Sequence, residues 1–173
     1  DRFGEGLPGM VAAIRAGEDV FARIAAIGRA VVDLALARGW ASPDRLAVCG
    51  ISRGALAAMH VMAADRRVRA GAFLAPVTHI PAVSEFAALA DRPIIERANA
   101  VALVARLADR PIYLSIGRAD ERVSTARCVE FHEALRRRST LHPPVLATWP
   151  TEGHSLPDQG YADGAAFLLE ALA

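Results

Sequence analysis

Arg45-Leu46-Ala47-Val48-Cys49-Gly50-Ile51-Ser52-Arg53-Gly54 is the stretch that decides how this chain is read. Its first six residues form an apolar run of buried-strand length, and the last five are a G-x-S-x-G pentapeptide. Ala55 to Asp65, rich in Ala, Met and Leu, then continues as helix. A serine on so sharp a strand-to-helix turn is held in a strained backbone conformation, and glycine at positions 50 and 54 lets strand and helix approach closely. The N-terminal amides of the helix point toward developing negative charge, so the Arg53 amide is placed to donate to an oxyanion. Alone, the pentapeptide also fits an ordinary Gly-rich turn. Ser52 becomes a candidate nucleophile only if a base and an acid are found at other strand ends.

Upstream, Gly17 to Arg38 carries Val20, Ile24, Ile27, Val31 and Leu34 at helical spacing, with Gly39 as a C-terminal stop. Downstream come a strand at Ala70 to Pro76, a helix at Val101 to Ala108 and a strand at Ile112 to Gly117. A helix at Thr125 to Arg138, a strand at Val145 to Trp149 and a closing helix at Tyr161 to Leu172 complete the alternation. Glu133 and Arg137 stand at i,i+4 for an ion pair. Residues 79–100, with Pro81, Pro93 and a small apolar cluster around Phe86, read as a short insertion. Strands alternating with helices imply an α/β fold, a parallel sheet with helices on both faces. Ligands bind such sheets at the carboxyl ends of the strands. Chemistry is therefore expected just after residues 50, 76, 117 and 149.

A serine hydroxyl needs a base. His154 follows the fourth strand in Thr151-Glu152-Gly153-His154-Ser155, with Gly153 letting the loop turn back over the sheet. His60 within a helix, His132 on a helix face and His142 in a Pro-flanked turn read as structural, and His79 as a loop residue. The base in turn needs a carboxylate to fix its tautomer. Asp120 lies three residues after the third strand, between serine and histidine in the chain, and the order Ser, Asp, His is that of α/β-hydrolases. Glu121 is the nearest competitor for the role, and a solvated loop carboxylate beside Arg118 and Arg122 is the plainer reading of Asp120.

Composition sets bounds. The 173 residues, 53% of them hydrophobic, suit a single domain, here 1–173, with a buried core. Twenty basic residues, all of them Arg, nearly balance nineteen acidic ones, and the net charge of +1 gives no field to gather nucleic acid or an anionic membrane. The longest apolar stretch, Gly54 to Ala64, is broken by His60 and falls short of the roughly 18 residues a span requires. Cys49 and Cys128 lie apart in apolar segments and read as small hydrophobes, not as a disulfide. No metal, nucleotide or flavin signature is present, so no cofactor is expected. The compartment is left open.

The segments 45–54, Gly117-Arg118-Ala119-Asp120-Glu121-Arg122-Val123 and Glu152-Gly153-His154-Ser155 together resemble the serine, acid and histidine motifs of the α/β-hydrolase superfamily. The branch they most resemble is that of prolyl-oligopeptidase-like and dienelactone-hydrolase-like enzymes, and the resemblance runs from about Val31 onward. It implies a serine hydrolase with Ser52 as nucleophile, His154 as base and Asp120 as orienting acid, cleaving an ester, or else an amide or peptide, through an acyl-enzyme. An acyltransferase with the same triad, or a non-catalytic interaction protein on the same fold, are the alternatives. The superfamily places four strands before the helix leading to the elbow strand, and one of their loops supplies a second oxyanion donor. Asp1-Arg2-Phe3-Gly4-Glu5-Gly6 resembles the loop after the fourth of them, so the chain is expected to begin partway through the fold, as its C-terminal portion. The elbow strand is then expected to have an exposed apolar edge, covered by another polypeptide or by preceding residues.

Overall fold

The computed structural model describes residues 4–173. Residues 1–3 of the opening segment lie outside the described residues. Four strands, β1 (Leu46–Ile51), β2 (Val68–Leu74), β3 (Ile112–Ala119) and β4 (Val145–Glu152), form one sheet in the order β1-β2-β3-β4. All pairings are parallel, with Cys49 opposite Ala72, Phe73 opposite Leu114 and Leu114 opposite Leu146. Side-chain alternation then divides the sheet residues between two faces. Phe73, Ile112, Leu114 and Ile116 join the main core, while Ala72, Leu74 and Tyr113 form a smaller cluster with Phe167 and Leu168.

Helices α2 (Val20–Ala37), α3 (Arg53–Ala64), α5 (Ala100–Leu107) and α6 (Thr125–Arg138) belong to the main core, and α7 (Asp158–Ala171) covers the opposite face. The α/β reading with helices on both faces holds. Helix α1 (Gly6–Arg15) is a structural addition, because Pro8 and two glycines mask it in the sequence. Pro8 is tolerated there, since the amides of a first turn have no intrahelical partner. The segment 79–100 is better ordered than an irregular insertion: it holds 3-10 turns at Ile80–Ala82 and Ser84–Leu89 and helix α4 (Pro93–Ala98). Buried Ile80, Phe86 and Ile95 tie it to the core. Arg110 bridges layers: its Nη1 donates to the Met62 carbonyl at 2.6 Å and to that of Val68 at 3.1 Å, joining the end of α3 to the start of β2.

Three expectations require correction. Helix α2 does not bury its whole apolar stripe: Ile27 is 58% exposed, Val31 59% and Leu34 48%, and its core contacts are Val20, Phe21 and Val32. A Cβ on Gly28 would stand 2.3 Å from Cγ2 of Val61, so the bare glycine is where α2 presses on α3. Cys49 is exposed, because β1 is an edge strand, whereas Cys128 is buried. Glu133 pairs with Arg136 at 3.0 Å, one residue earlier than the i,i+4 spacing suggested.

The unpaired side of β1 opens on a groove lined by Val31 and Val32 of α2, Leu46 and Val48 of β1, and Ala58 and Val61 of α3. An apolar edge with free backbone donors and acceptors is a template for pairing. The chain 1–173 by itself is therefore expected to self-associate in sedimentation velocity, with Val31→Lys shifting it toward monomer. A wild type that stays monomeric across the whole concentration series would contradict this.

Candidate active site

Ser52 sits between β1 and α3 with φ 54° and ψ −119°, in the left-handed half of conformational space that side chains normally avoid. Hydrogen bonds on both sides hold it there. Its amide donates to the Leu74 carbonyl at 2.8 Å, and its carbonyl accepts from Val77 at 3.2 Å and Ala55 at 3.1 Å. The turn depends on Gly50, where a Cβ would meet the Gly54 carbonyl oxygen at 2.3 Å and the Ala55 Cα at 2.7 Å. Gly54 differs: nothing lies within 4 Å of a Cβ built there, because that side faces the open groove along β1. The steric need for glycine is thus visible at the first position of the pentapeptide only.

The third strand ends in Gly117-Arg118-Ala119, and Asp120, the next residue, is buried at 2% exposure. Local hydrogen bonds shape its loop. Thr125 closes it from the start of α6, its amide donating to the Asp120 carbonyl at 2.9 Å and its hydroxyl to the Gly117 carbonyl at 2.6 Å. The Asp120 Oδ1 accepts from the Val123 amide at 3.2 Å, which leaves Oδ2 to face the sheet end. Beyond β4, Gly153 at φ +63° turns the chain back, and the Thr151 hydroxyl donates to the Ser155 carbonyl at 2.9 Å to close the bend. His154 projects from that bend.

The three side chains meet in a line. His154 Nδ1 lies 2.7 Å from Asp120 Oδ2, and His154 Nε2 lies 2.9 Å from Ser52 Oγ. An ionised carboxylate can only accept, so Nδ1 carries the proton and donates to Asp120, which leaves Nε2 to accept from the serine hydroxyl. Glu121 and Glu152 are exposed, and His154 bonds neither of them. The Arg53 amide, first of the N-terminal amides of α3, has no backbone partner and stands next to the Ser52 oxygen in the chain.

The other histidines have different occupations. His60 Nε2 is bonded to the Ala98 carbonyl at 3.0 Å, and His132 Nε2 to that of Pro144 at 3.2 Å. Partial burial pushes the His79 pKa below its ordinary value. Among the described residues, no three His, Cys, Asp or Glu side chains cluster as metal ligands would.

Beside Ser52 lies a small recess that the sequence did not disclose. Leu56, Val77, Ile80, Val83, Phe86 and Val123 line it, with Arg122 at its polar side. Three of these, Ile80, Val83 and Phe86, come from the segment 79–100, so the apolar cluster around Phe86 was the available signal. Arg122 bonds Glu85 at 2.6 Å and Ser84 at 3.1 Å, which ties that segment to the loop carrying Asp120. The Arg122 guanidinium also pulls the Glu85 carboxyl down to about 2.

With that geometry in place, comparison with known proteins assigns the lineage. Residues 29–173 match the prolyl oligopeptidase family. The chain belongs to that family. No curated protein matches it in sequence. Among solved structures it is similar to dipeptidyl peptidase 4 of Porphyromonas gingivalis, with a TM-score of 0.65 and 20% identity over 75% of this chain and 20% of that one. It is also similar to an esterase of Pyrococcus furiosus, with a TM-score of 0.58 and 20% identity over 75% of this chain and 55% of that one. A cold-adapted esterase from an Arctic intertidal metagenomic library gives a TM-score of 0.71 at 19% identity, over the whole of this chain and 67% of that one. The prolyl oligopeptidase family chain thus carries a serine hydrolase fold, and it spans about a fifth of the peptidase and about half of the Pyrococcus esterase.

Proposed function

We propose that this chain is the catalytic part of a serine hydrolase that cleaves carboxylic esters through an acyl-enzyme, with Ser52 as nucleophile, His154 as base and Asp120 as orienting acid. The unbroken relay of two hydrogen bonds, 2.9 Å and 2.7 Å, from Ser52 through His154 to Asp120 carries the reading. Ser52 Oγ attacks the carbonyl carbon as its proton passes to His154 Nε2, and the Arg53 amide receives the oxyanion. Collapse of the tetrahedral intermediate expels the alkoxide, which takes the proton from His154. Water then repeats the sequence against the acyl-enzyme and returns free Ser52. The recess beside Ser52 is apolar, so it favours a substrate with an apolar group next to the scissile carbonyl.

A peptide or amide bond is the second reading, since the similar structures include a peptidase as well as esterases. A polypeptide segment paired along β1 would complete the sheet and bring a second oxyanion donor, whose loss costs other hydrolases about 3 to 4 kcal/mol of transition-state stabilisation. Initial rates on p-nitrophenyl butyrate and on an alanyl p-nitroanilide, each with and without an added alcohol, test the assignment. The account expects ester turnover with the free acid as the main product. Anilide cleavage without ester turnover would move the chain to the peptidase reading, and transfer of the acyl group to the alcohol in preference to water would make it an acyltransferase.

A further inference from the structure

A second recess, open to solvent, lies on the helical side of the molecule between α2, α3, α4 and α5. Ala22, Ala25, Ile94 and Ala98 give it apolar lining, and Arg97 and Arg106 line it as well. Phe21 separates it from the recess beside Ser52: it lines both, and its ring stacks on His60 at 5.0 Å.

The charges of this cavity are out of balance. Among the described residues, neither Arg97 nor Arg106 forms an ion pair or a side-chain hydrogen bond. The one carboxylate on the cavity wall, Asp19, accepts the Ala22 amide at 2.8 Å as the N-terminal cap of α2. Burial pushes the His60 pKa below its ordinary value, and its Nε2 is occupied by the Ala98 carbonyl. Two arginines without ion-pair partners, lining the same recess as Ala22, Ala25 and Ile94, match a ligand that is anionic at one end and apolar at the other. A guanidinium takes a carboxylate through two parallel hydrogen bonds, more strongly than it binds neutral oxygen.

We infer that this cavity is a binding site for a small carboxylate with a short apolar body, whose carboxyl group bridges Arg97 and Arg106 while its apolar part lies on Ile94, Ala22 and Ala25. Such a ligand has the same chemistry as the acid released by ester hydrolysis. The site itself does not depend on that reaction.

Isothermal titration of the chain with benzoate, benzamide and inorganic phosphate tests it. Saturable benzoate binding is expected, with benzamide and phosphate each at least about tenfold weaker, because one lacks the charge and the other the apolar body. The double variant Arg97→Gln/Arg106→Gln should weaken benzoate by about tenfold or more, and Arg97→Lys/Arg106→Lys by less. Both arginines are exposed, so the thermal transition should be unchanged. Ile94→Glu, which puts a carboxylate in the apolar lining, should abolish binding without touching either arginine. Arg122→Gln, at the other recess, should leave it unaltered. Benzoate binding that survives both Ile94→Glu and the double glutamine variant, or that falls with Arg122→Gln instead, would overturn the site. Equal affinity for benzamide, or for phosphate, would overturn its ligand class.

Discussion

Ser52→Ala is expected to lower kcat for p-nitrophenyl butyrate by a factor on the order of 10⁶, the loss seen when the nucleophile of a triad is removed. The prediction rests on the hydroxyl having a single task. Its oxygen is the group 2.9 Å from His154 Nε2, and no other hydroxyl takes that place among the described residues. Stability should change little. The strained backbone at φ 54° is held by the amide and carbonyl of residue 52, which alanine keeps, and the exchange of hydroxyl for hydrogen leaves no core cavity. The loss of one partly exposed hydrogen bond costs about 1 kcal/mol, which urea denaturation would resolve. A variant that folds and keeps more than about one part in a thousand of the rate would mean that another group attacks the carbonyl.

Asp120→Asn should lower kcat by about 10⁴-fold with the fold intact. The side chain is isosteric and its oxygen can still accept the Val123 amide, so the loop closed by Thr125 should persist. What changes is the proton on His154. An amide NH₂ facing Nδ1 across the present 2.7 Å contact can only donate, and this forces the imidazole proton to Nε2. Nε2 then points a proton at Ser52 and cannot take one. Glu121→Gln, on the exposed neighbour, should leave the rate within about twofold, because its side chain bonds neither partner. Steady-state rates for the two variants check both statements, and a larger loss with Glu121→Gln would reassign the acid.

Much of this architecture was legible because three of the four strands lead into a residue with a distinct chemical signal. Gly50, Gly117 and Gly153 mark where strands give way to turns, and Ser52, Asp120 and His154 follow them at short intervals. Strands of a parallel sheet read as plain apolar runs, so β1, β2 and β3 were found to within a few residues, even though β1 is only partly buried at the edge. Three features were less legible, each for a physical reason. Pro8 and the nearby glycines carry low helix propensity, so α1 exists through the burial of Val11, Ala13 and Ile14 and not through local preference. The stripe Ile27, Val31 and Leu34 announces an apolar environment without saying which neighbour provides it; all three are exposed in this chain, and Val31 lines the groove at the open edge of β1. The recess at Ser52 is assembled from α1, α2, α3, the segment 79–100 and the Asp120 loop, and no local pattern encodes a cavity with so many walls.

The central claim is that Ser52 is an activated nucleophile, and covalent capture tests it most directly. The folded chain is incubated with a fluorophosphonate probe, digested, and the modified residue located by tandem mass spectrometry. The account predicts a single adduct, on Ser52, that disappears in Ser52→Ala and forms much more slowly in Asp120→Asn. An adduct on another residue, or one that persists in Ser52→Ala, would contradict it.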